Sequence, residues 1–580
     1  MRDEIFQSLT SDPRVSVLIA GGGINGIGLL RELALQGVDC LLVEKSDFTA
    51  GATSKSSRMI HGGLRYLENR QLALVRESLH ERSRLLATAA HYVTPQRTTI
   101  PVFSRLGGLA RSALIFIGLP IPPRSRGAVV CKLGLWFYDF VTRKDRRTPR
   151  HFLTPREESL RAIPGLNPRI AATLTYWDAR ISQAERLCIE LIADALRADP
   201  RCRAVNYVRV AGMRDGAVLL ADEIGGRTVA VRPRVFVNAT GAWVDRTNAA
   251  LGLKTRYIGG TRGSHLVLDC PQLGDALGDR MIYYQHTDGR VCIIFPFMGK
   301  VIVGSTDIRV AGPDAASCDD GEVEYMLAGV RMMFPRLRVS RGDIVFTFCG
   351  VRPLAASEAA VVGNISRGHR VEMVEPAPGR PMPVCSLIGG KWTTFRALAE
   401  QVADVVLARL GAARKCSTRD LPIGGGRGFP AGDKRRTGWV RRVAAASGLA
   451  EDRVAVLLDR YGTAAEGFAA AQGISAREGG GAVAGTAAAQ GVGAGAVGRR
   501  PDRPLCTLPA YTAGEIERIA SQEYVEHLAD LVYRRSTIGL LGDARTEVLR
   551  ELAEVAGRTL GWDAARREAE VRLAAPPALP

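Results

Sequence analysis

The chain has 580 residues, room for two to four domains, and its 46% hydrophobic and 24% charged residues are those of an ordinary globular protein. No run of about 18 uncharged apolar residues is present, which argues against a membrane-spanning helix, and MRDEIFQSLTSD at the start lacks the apolar core of a secretory signal. A formal net charge of +19, from 78 Lys and Arg against 59 Asp and Glu, suits nucleic acid, anionic lipid or anionic small substrates and does not choose among them.

In chain order, VSVLIA (15–20) reads as a buried strand, and 24–36 has the apolar spacing of a helix that Gly37 closes. DCLLVE (39–44) is a second apolar run, completing a β-α-β unit. A long helix is predicted near 69–90. Residues 105–150 alternate short apolar stretches with arginines and lysines. Strand-like runs then dominate to about 365, and 394–410 reads as a helix packing back on the core. Composition shifts after 411: residues 464–500 are largely Ala and Gly and read as a mobile insertion or linker, and 513–535 and 544–570 read as helices of a separate domain. The 11 cysteines are scattered without CxxC pairs, so they read as reduced buried thiols and no metal site is expected.

The glycine turn between the first strand and helix carries the first chemical signal. Gly21-x-Gly23-x-x-Gly26 follows a strand and opens a helix, and Glu44 ends the next strand. Gly21 permits the tight turn, Gly23 lets backbone approach a pyrophosphate, and Gly26 lets helix and strand pack closely. The helix N-terminus offers free N–H groups to phosphates, and Glu44 can accept from ribose hydroxyls. This predicts dinucleotide binding, with NAD and FAD both open. VFVNATGAWVD (235–245), a strand ending at Thr240 and Gly241, adds weight to FAD.

GATSKSSRMIHGGLRYLE (51–68) closely resembles the signature of FAD-dependent, quinone-linked glycerol-3-phosphate dehydrogenases. The resemblance continues in order through VNATGAWVD (237–245), RGSHLVL (262–268), GSTD (304–307), GVRPL (350–354) and GGKWTTFRALAE (389–400), and more weakly through LPIGGG, YGT and YRRST beyond 411. It implies an α/β fold: a Rossmann-like FAD-binding domain of the two-dinucleotide-binding type, a mixed-sheet substrate domain and a C-terminal α-helical domain. The expected division is 1–410 for the oxidoreductase region and 411–580 for the helical domain. FAD-binding parts are expected at about 1–95, 185–255 and 340–410, interleaved with substrate- and membrane-facing parts at 96–184 and 256–339. The implied reaction oxidises sn-glycerol 3-phosphate to dihydroxyacetone phosphate by hydride transfer to FAD, with electrons passed to a membrane quinone. The alternatives are an oxygen-using glycerol-3-phosphate oxidase, or an FAD enzyme acting on another hydroxy or amino acid.

The resemblance implies residues as well. Arg352 and Arg367 are expected to clamp the phosphate, because a dianion calls for planar, permanently charged donors that reach two oxygens at once. Arg65 and Tyr66 are expected beside substrate and flavin. Lys391 is placed near the flavin ring, where a cation stabilises developing negative charge. His265 is the first choice for general base, with His61 packing by the flavin as the second, and Asp307 is expected to orient or receive the proton. FAD contacts are expected from Gly21, Gly23, Asn25, Gly26, Glu44, Thr53, Ser54, His61, Gly62, Gly63, Thr240, Gly241, Gly390, Lys391 and Thr393.

One departure stands out. The family carries Asp-Ala-Arg where this chain has QAER (183–186); its own Asp-Ala-Arg lies earlier, at 178–180, which questions the local helix start and the substrate preference. The apolar stretches of 105–150, with Arg105, Arg111, Arg124, Arg126, Lys132, Arg143, Lys144, Arg146 and Arg147, form a candidate membrane foot, against a reading as core with a basic rim. The expected setting is cytoplasmic and peripheral on the inner face of the cell membrane, with surface lipids as partners and a homodimer left open. No nucleic-acid partner is expected, since no interleaved basic and aromatic motif is present.

Overall fold

A computed structural model describes residues 2–67, 71–105, 107, 127–144, 146–314, 316–357, 367–473, 503–577 and 579. The chain divides into two compact units: residues 1–423, 532–543 and 576–580, and residues 424–531 with 544–575.

The first unit is built on two sheets. The 8-stranded sheet has a parallel centre, in the order Val384–Gly389, Thr228–Asn238, Arg14–Ala20, Cys40–Val43, Arg203–Val205. Its strands are short apolar runs because both faces are covered. Val17, Leu18 and Ile19 are fully buried, and helix Ile24–Leu35 packs with helices Ala184–Ala198 and Phe395–Leu410 beside the sheet. An antiparallel strand, His369–Val374, closes one edge.

The 10-stranded sheet is mostly antiparallel. Thr261–Leu268 lies between Ile344–Arg352 and Lys300–Gly304, and Val93–Val102 runs beside Ala172–Ile181. Strand Ile344–Arg352, grouped by the sequence with the FAD-binding parts, thus belongs to this second sheet: its aromatic and branched residues pair with Thr261–Leu268 along almost their whole length. The same holds for Val93–Val102, expected to divide at residue 95.

Two boundaries differ from the composition-based reading. The first unit continues past 411 to Ile423, because Gln36 accepts from the Lys415 and Cys416 N–H groups, Glu32 accepts from the Thr418 hydroxyl, and the Ile423 N–H donates to the Thr88 carbonyl. It also includes residues 532–543. Asp47 is the reason: fully buried, its carboxylate accepts from Arg535 Nη1 and Nη2 at 2.8 and 2.7 Å, from Arg534, and from Asn206 at 2.9 Å. Burial alone would raise the Asp47 carboxyl, but the two guanidiniums outweigh it and hold the group down at about 2. Breaking a buried pair by removing one partner leaves an uncompensated charge, so Asp47→Asn is expected to lower unfolding free energy by about 3–5 kcal/mol in denaturant titration. In the unaltered chain the folded-state value lies below the ordinary ~3.9, so this stabilisation is complete above that pH and is lost as pH falls toward 2.

The second unit is helical. Asp433–Ser447, Glu451–Tyr461 and Ala465–Gly473 share a core around Trp439, Leu457, Tyr461 and Phe468, and Ala513–Gln522, Thr546–Leu560 and Ala564–Ala574 pack together. The stretches 513–535 and 544–570, read as helices, are divided into shorter helical segments, with Leu528–Asp530 and Leu531–Arg535 completing the first and Ala564–Ala574 following the second. The helix from Ala513 ends at Gln522, and residues 532–543 belong to the other unit. The helix from Thr546 ends at Gly561, whose positive φ of 70° caps it. The Ala/Gly-rich segment also starts later than composition suggested. Residues 465–469 are helical because Phe468 stacks on Tyr461 at 3.9 Å and Ala465 and Ala469 fit against it; residues 474–500 of the expected insertion lie outside the described residues.

Candidate active site

A cavity of about 1310 Å³ runs through the first unit. That exceeds the ~300–1,000 Å³ of an ordinary small-ligand pocket, leaving room for a dinucleotide and a second small molecule. One end is formed by the glycine turn. A Cβ on Gly21, at φ 113°, would lie 2.5 Å from the Ala239 carbonyl oxygen, and one on Gly26 would run into the Gly21 carbonyl. The turn exists only with these glycines. Gly21, Gly23 and Asn25 line the cavity, whereas Gly26 stands behind it, between helix and strand.

Glu44 lines the same end and accepts from the Gly22 and Ser46 N–H groups at 2.7 and 2.9 Å. Burial pushes its carboxyl up, against those two donors. Thr53 reaches across to accept from the Ile24 N–H at 3.0 Å, pinning the turn. Thr240 donates to Asn238 Oδ1 at 2.6 Å, and Gly241, at φ 60°, follows it on the wall. Gly390 lies so close to Asn25 that a Cβ there would meet the Asn25 amide at 2.8 Å. Asn25 Oδ1 is buried without a hydrogen-bond partner, an acceptor of the kind a bound ligand satisfies. The extended groove, the glycine cradle and this unsatisfied acceptor fit a dinucleotide.

Farther along, Thr393 Oγ1 accepts from the His61 N–H at 3.2 Å, and Lys391 Nζ donates to Ser78 Oγ at 2.6 Å with the Tyr66 ring 4.8 Å away. Gly63, at φ 81°, lines the wall here. Gly62 is set back: its N–H donates to Asp178 at 3.2 Å. Ser54 is likewise off the wall, its hydroxyl turned to the Gly51 carbonyl at 3.4 Å. The Arg65 side chain lies outside the described residues.

At the far end, strand Thr261–Leu268 and the turn after Lys300–Gly304 bring together His265, Asp307, Arg352 and Arg367. Asp307 accepts from both arginines, each at 2.9 Å. Arg352 also donates to the Arg262 and Thr306 carbonyls at 3.2 and 3.1 Å and to Ser305 Oγ at 3.0 Å. His265 is buried, stacked on Phe348 at 4.7 Å, with Nε2 2.7 Å from Ser57 Oγ. Burial, and then the Arg352 and Arg58 charges, push its ring down to about 3, so it is neutral.

Two family models match this chain: an FAD dependent oxidoreductase model over residues 16–396, and a model of the C-terminal domain of alpha-glycerophosphate oxidase over 416–567. A glycerol-3-phosphate dehydrogenase of Synechocystis sp. is 34% identical over 433 residues, covering 71% of this chain and 74% of that protein. A glycerol-3-phosphate dehydrogenase 2 of Mycobacterium bovis is 30% identical over 569 residues, covering 96% and 86%. The chain belongs to the FAD-dependent glycerol-3-phosphate dehydrogenase/oxidase family. Among solved structures, the fold is similar to that of the Bacillus halodurans glycerol-3-phosphate dehydrogenase complexed with FAD: TM-score 0.72, 21% identity, covering 99% of this chain and 96% of the other.

As a member of that family the protein uses FAD, and the groove above is built to hold it. The family's Asp-Ala-Arg departure resolves locally. Asp178-Ala-Arg180 lies in strand Ala172–Ile181, and the helix starts at Ala184, with Arg186 donating to the Arg535 carbonyl at 2.9 Å. Three cavity residues were given no role at the site by the sequence. Ser57, on His265, and Lys55 both stand inside TSKSS, where a polar run within a matched signature was the available signal. Burial, and then the Arg534 charge, push the Lys55 amine down to about 8. Asp178, which accepts from Arg82 at 2.9 Å as well as from Gly62, stands in the displaced Asp-Ala-Arg, but its place at the cavity comes through long-range pairing that the motif does not report.

Proposed function

We propose that this chain oxidises sn-glycerol 3-phosphate at C2 to dihydroxyacetone phosphate and delivers the electrons to a membrane quinone. The arrangement that supports it is two guanidiniums sharing one carboxylate beside a buried neutral histidine, at the end of a dinucleotide groove. Arg352 and Arg367 hold the phosphate, with Asp307 as the counter-ion that orders both before substrate arrives. An aspartate committed to two arginines is a poor proton acceptor, so that role falls to His265. The charges that depress His265 include Arg352; a dianion seated on Arg352 offsets that charge and raises the ring's basicity when the substrate hydroxyl needs it. Ser57 fixes the imidazole's orientation through Nε2. Lys391 and Tyr66 line the same cavity, with the Lys391 amine 4.8 Å from the Tyr66 ring centre. Bound FAD supplies the two-electron acceptor for the C2 hydride.

Among the described residues no helix is long and apolar enough to cross a membrane. Helix Ala128–Val141 turns Leu133, Trp136 and Phe140 outward at 63, 62 and 48% exposure, while Cys131, Leu135 and Tyr138 face the core. Lys132 lies within it and Arg143 and Arg147 follow it, and the Arg143 guanidinium stands 4.3 Å from the Phe140 ring centre. Arg111, Arg124 and Arg126 of the expected foot lie outside the described residues. Apolar groups beside cations suit the interfacial layer of an anionic bilayer. Replacing Trp136 and Phe140 together by Asp is expected to cut co-sedimentation with phosphatidylglycerol vesicles at least tenfold, with dye-linked turnover unchanged. Equal co-sedimentation of both forms would remove this face from the reading.

The substrate test is anaerobic: sn-glycerol 3-phosphate is added to the purified holoenzyme while the visible band of oxidised flavin is followed. Bleaching that a quinone analogue reverses supports the proposal. Bleaching reversed rapidly by air with peroxide release replaces the quinone by oxygen as acceptor, and no bleaching removes the substrate.

A further inference from the structure

Glu322 begins the buried side of helix Asp320–Met333 and does not line the cavity, yet four donors converge on its carboxylate. Oε1 accepts from Ser264 Oγ at 2.9 Å and Thr306 Oγ1 at 2.5 Å. Oε2 accepts from the Asp319 N–H at 3.2 Å and pairs with Arg262 at 3.0 Å. The Ser264 N–H donates to Thr306 Oγ1 at 2.8 Å, closing the loop between the two segments. Glu322 is 3% exposed, so water does not replace any of these bonds freely.

The two segments so tied are the ones that hold Arg352 from its other side. Arg262 and Thr306, whose side chains converge on Glu322, are the residues whose carbonyls accept from the Arg352 guanidinium. We infer that Glu322 is a positioning residue for anion binding: it fixes the Arg262 and Thr306 backbones, and these fix the Arg352 guanidinium toward the cavity. The inference rests on the anion-binding role proposed for Arg352. A glutamine at this position has one oxygen where the carboxylate has two, so its NH₂ must face donors and the network loses partners on one side.

The test uses inorganic phosphate titrated calorimetrically into the FAD-loaded enzyme, with flavin content and melting temperature measured on every variant. Glu322→Gln is expected to weaken phosphate binding at least tenfold, and to raise the KM for glycerol 3-phosphate with kcat within about threefold. Thr306→Val, which removes one donor, is expected to weaken phosphate about fivefold, while Thr306→Ser restores wild-type affinity. Should Glu322→Gln fail to hold flavin, the Thr306 pair carries the test. Wild-type phosphate affinity in Glu322→Gln and Thr306→Val overturns the inference, as does a loss that merely follows flavin content or melting temperature. A wild-type enzyme that binds no phosphate overturns the Arg352 reading itself, a result separable from failure of the variants alone.

Discussion

Arg352→Ala is expected to raise the KM for glycerol 3-phosphate by about 30- to 1,000-fold, equivalent to roughly 2–4 kcal/mol of lost charge-assisted contact. The argument is one of local charge. Two arginines and Asp307 leave the anion end of the cavity with a single net positive charge, and Arg352 is the residue that four neighbouring groups orient. Its removal leaves Arg367 neutralised by Asp307 and no net charge for the dianion. A contact made equally to substrate and transition state lowers KM without raising kcat, so kcat should change much less. Steady-state kinetics over a wide substrate range, with dye as acceptor, reads this directly. An unchanged KM would sink the clamp, and Arg352→Lys should recover only part of the loss, since an ammonium cannot offer two parallel donors.

His265→Asn is expected to lower kcat about 10²- to 10⁴-fold, the usual worth of a positioned general base, while FAD content stays near that of the wild type. Anaerobic stopped-flow measurement of flavin bleaching isolates that step from reoxidation; a bleaching rate within threefold of wild type would reassign the base. The same substitution has a signature in folding. His265 titrates at about 3 in the folded chain against an ordinary ~6.5. Between these values the unfolded chain binds the extra proton, so the stabilisation present above pH 6.5 is lost progressively as pH falls to 3. Denaturant midpoints measured over that range should therefore decline less steeply in His265→Asn than in the wild type.

The dinucleotide half of this site was legible because its chemistry is local. A strand, Gly21-x-Gly23-x-x-Gly26, a helix and Glu44 are contiguous in the chain and each has a geometric duty, which the Gly21–Ala239 approach makes visible. The anion end was legible only by resemblance. Nothing in the local pattern around Arg352 says that Asp307 holds it, because the two meet only when Thr261–Leu268 pairs on its two sides with the later strands Lys300–Gly304 and Ile344–Arg352. Glu322 shows the limit well. Asp319-x-x-Glu322 is a helix-start pattern, and it does cap its helix, but its bonds to Ser264 and Thr306 depend on tertiary placement. The helical reading after 513 holds for Ala513–Gln522 and for 528–535, but it placed 532–543 in the wrong unit, because Arg535 is drawn to Asp47 by a buried charge that no periodicity reports.

That last contact sets an order of events during synthesis. Asp47 emerges from the ribosome nearly 500 residues before its counter-ions. Until Arg534 and Arg535 are made, the nascent first unit carries a carboxylate that its own packing would bury with the Asn206 amide but no counter-charge, so the Asp47 environment stays open and wet. The chain must meanwhile have released most of the helical unit, residues 424–531. Ribosome-bound fragments ending before 534 should thus remain sensitive to protease near residue 47, and completion of the first unit waits for those two arginines.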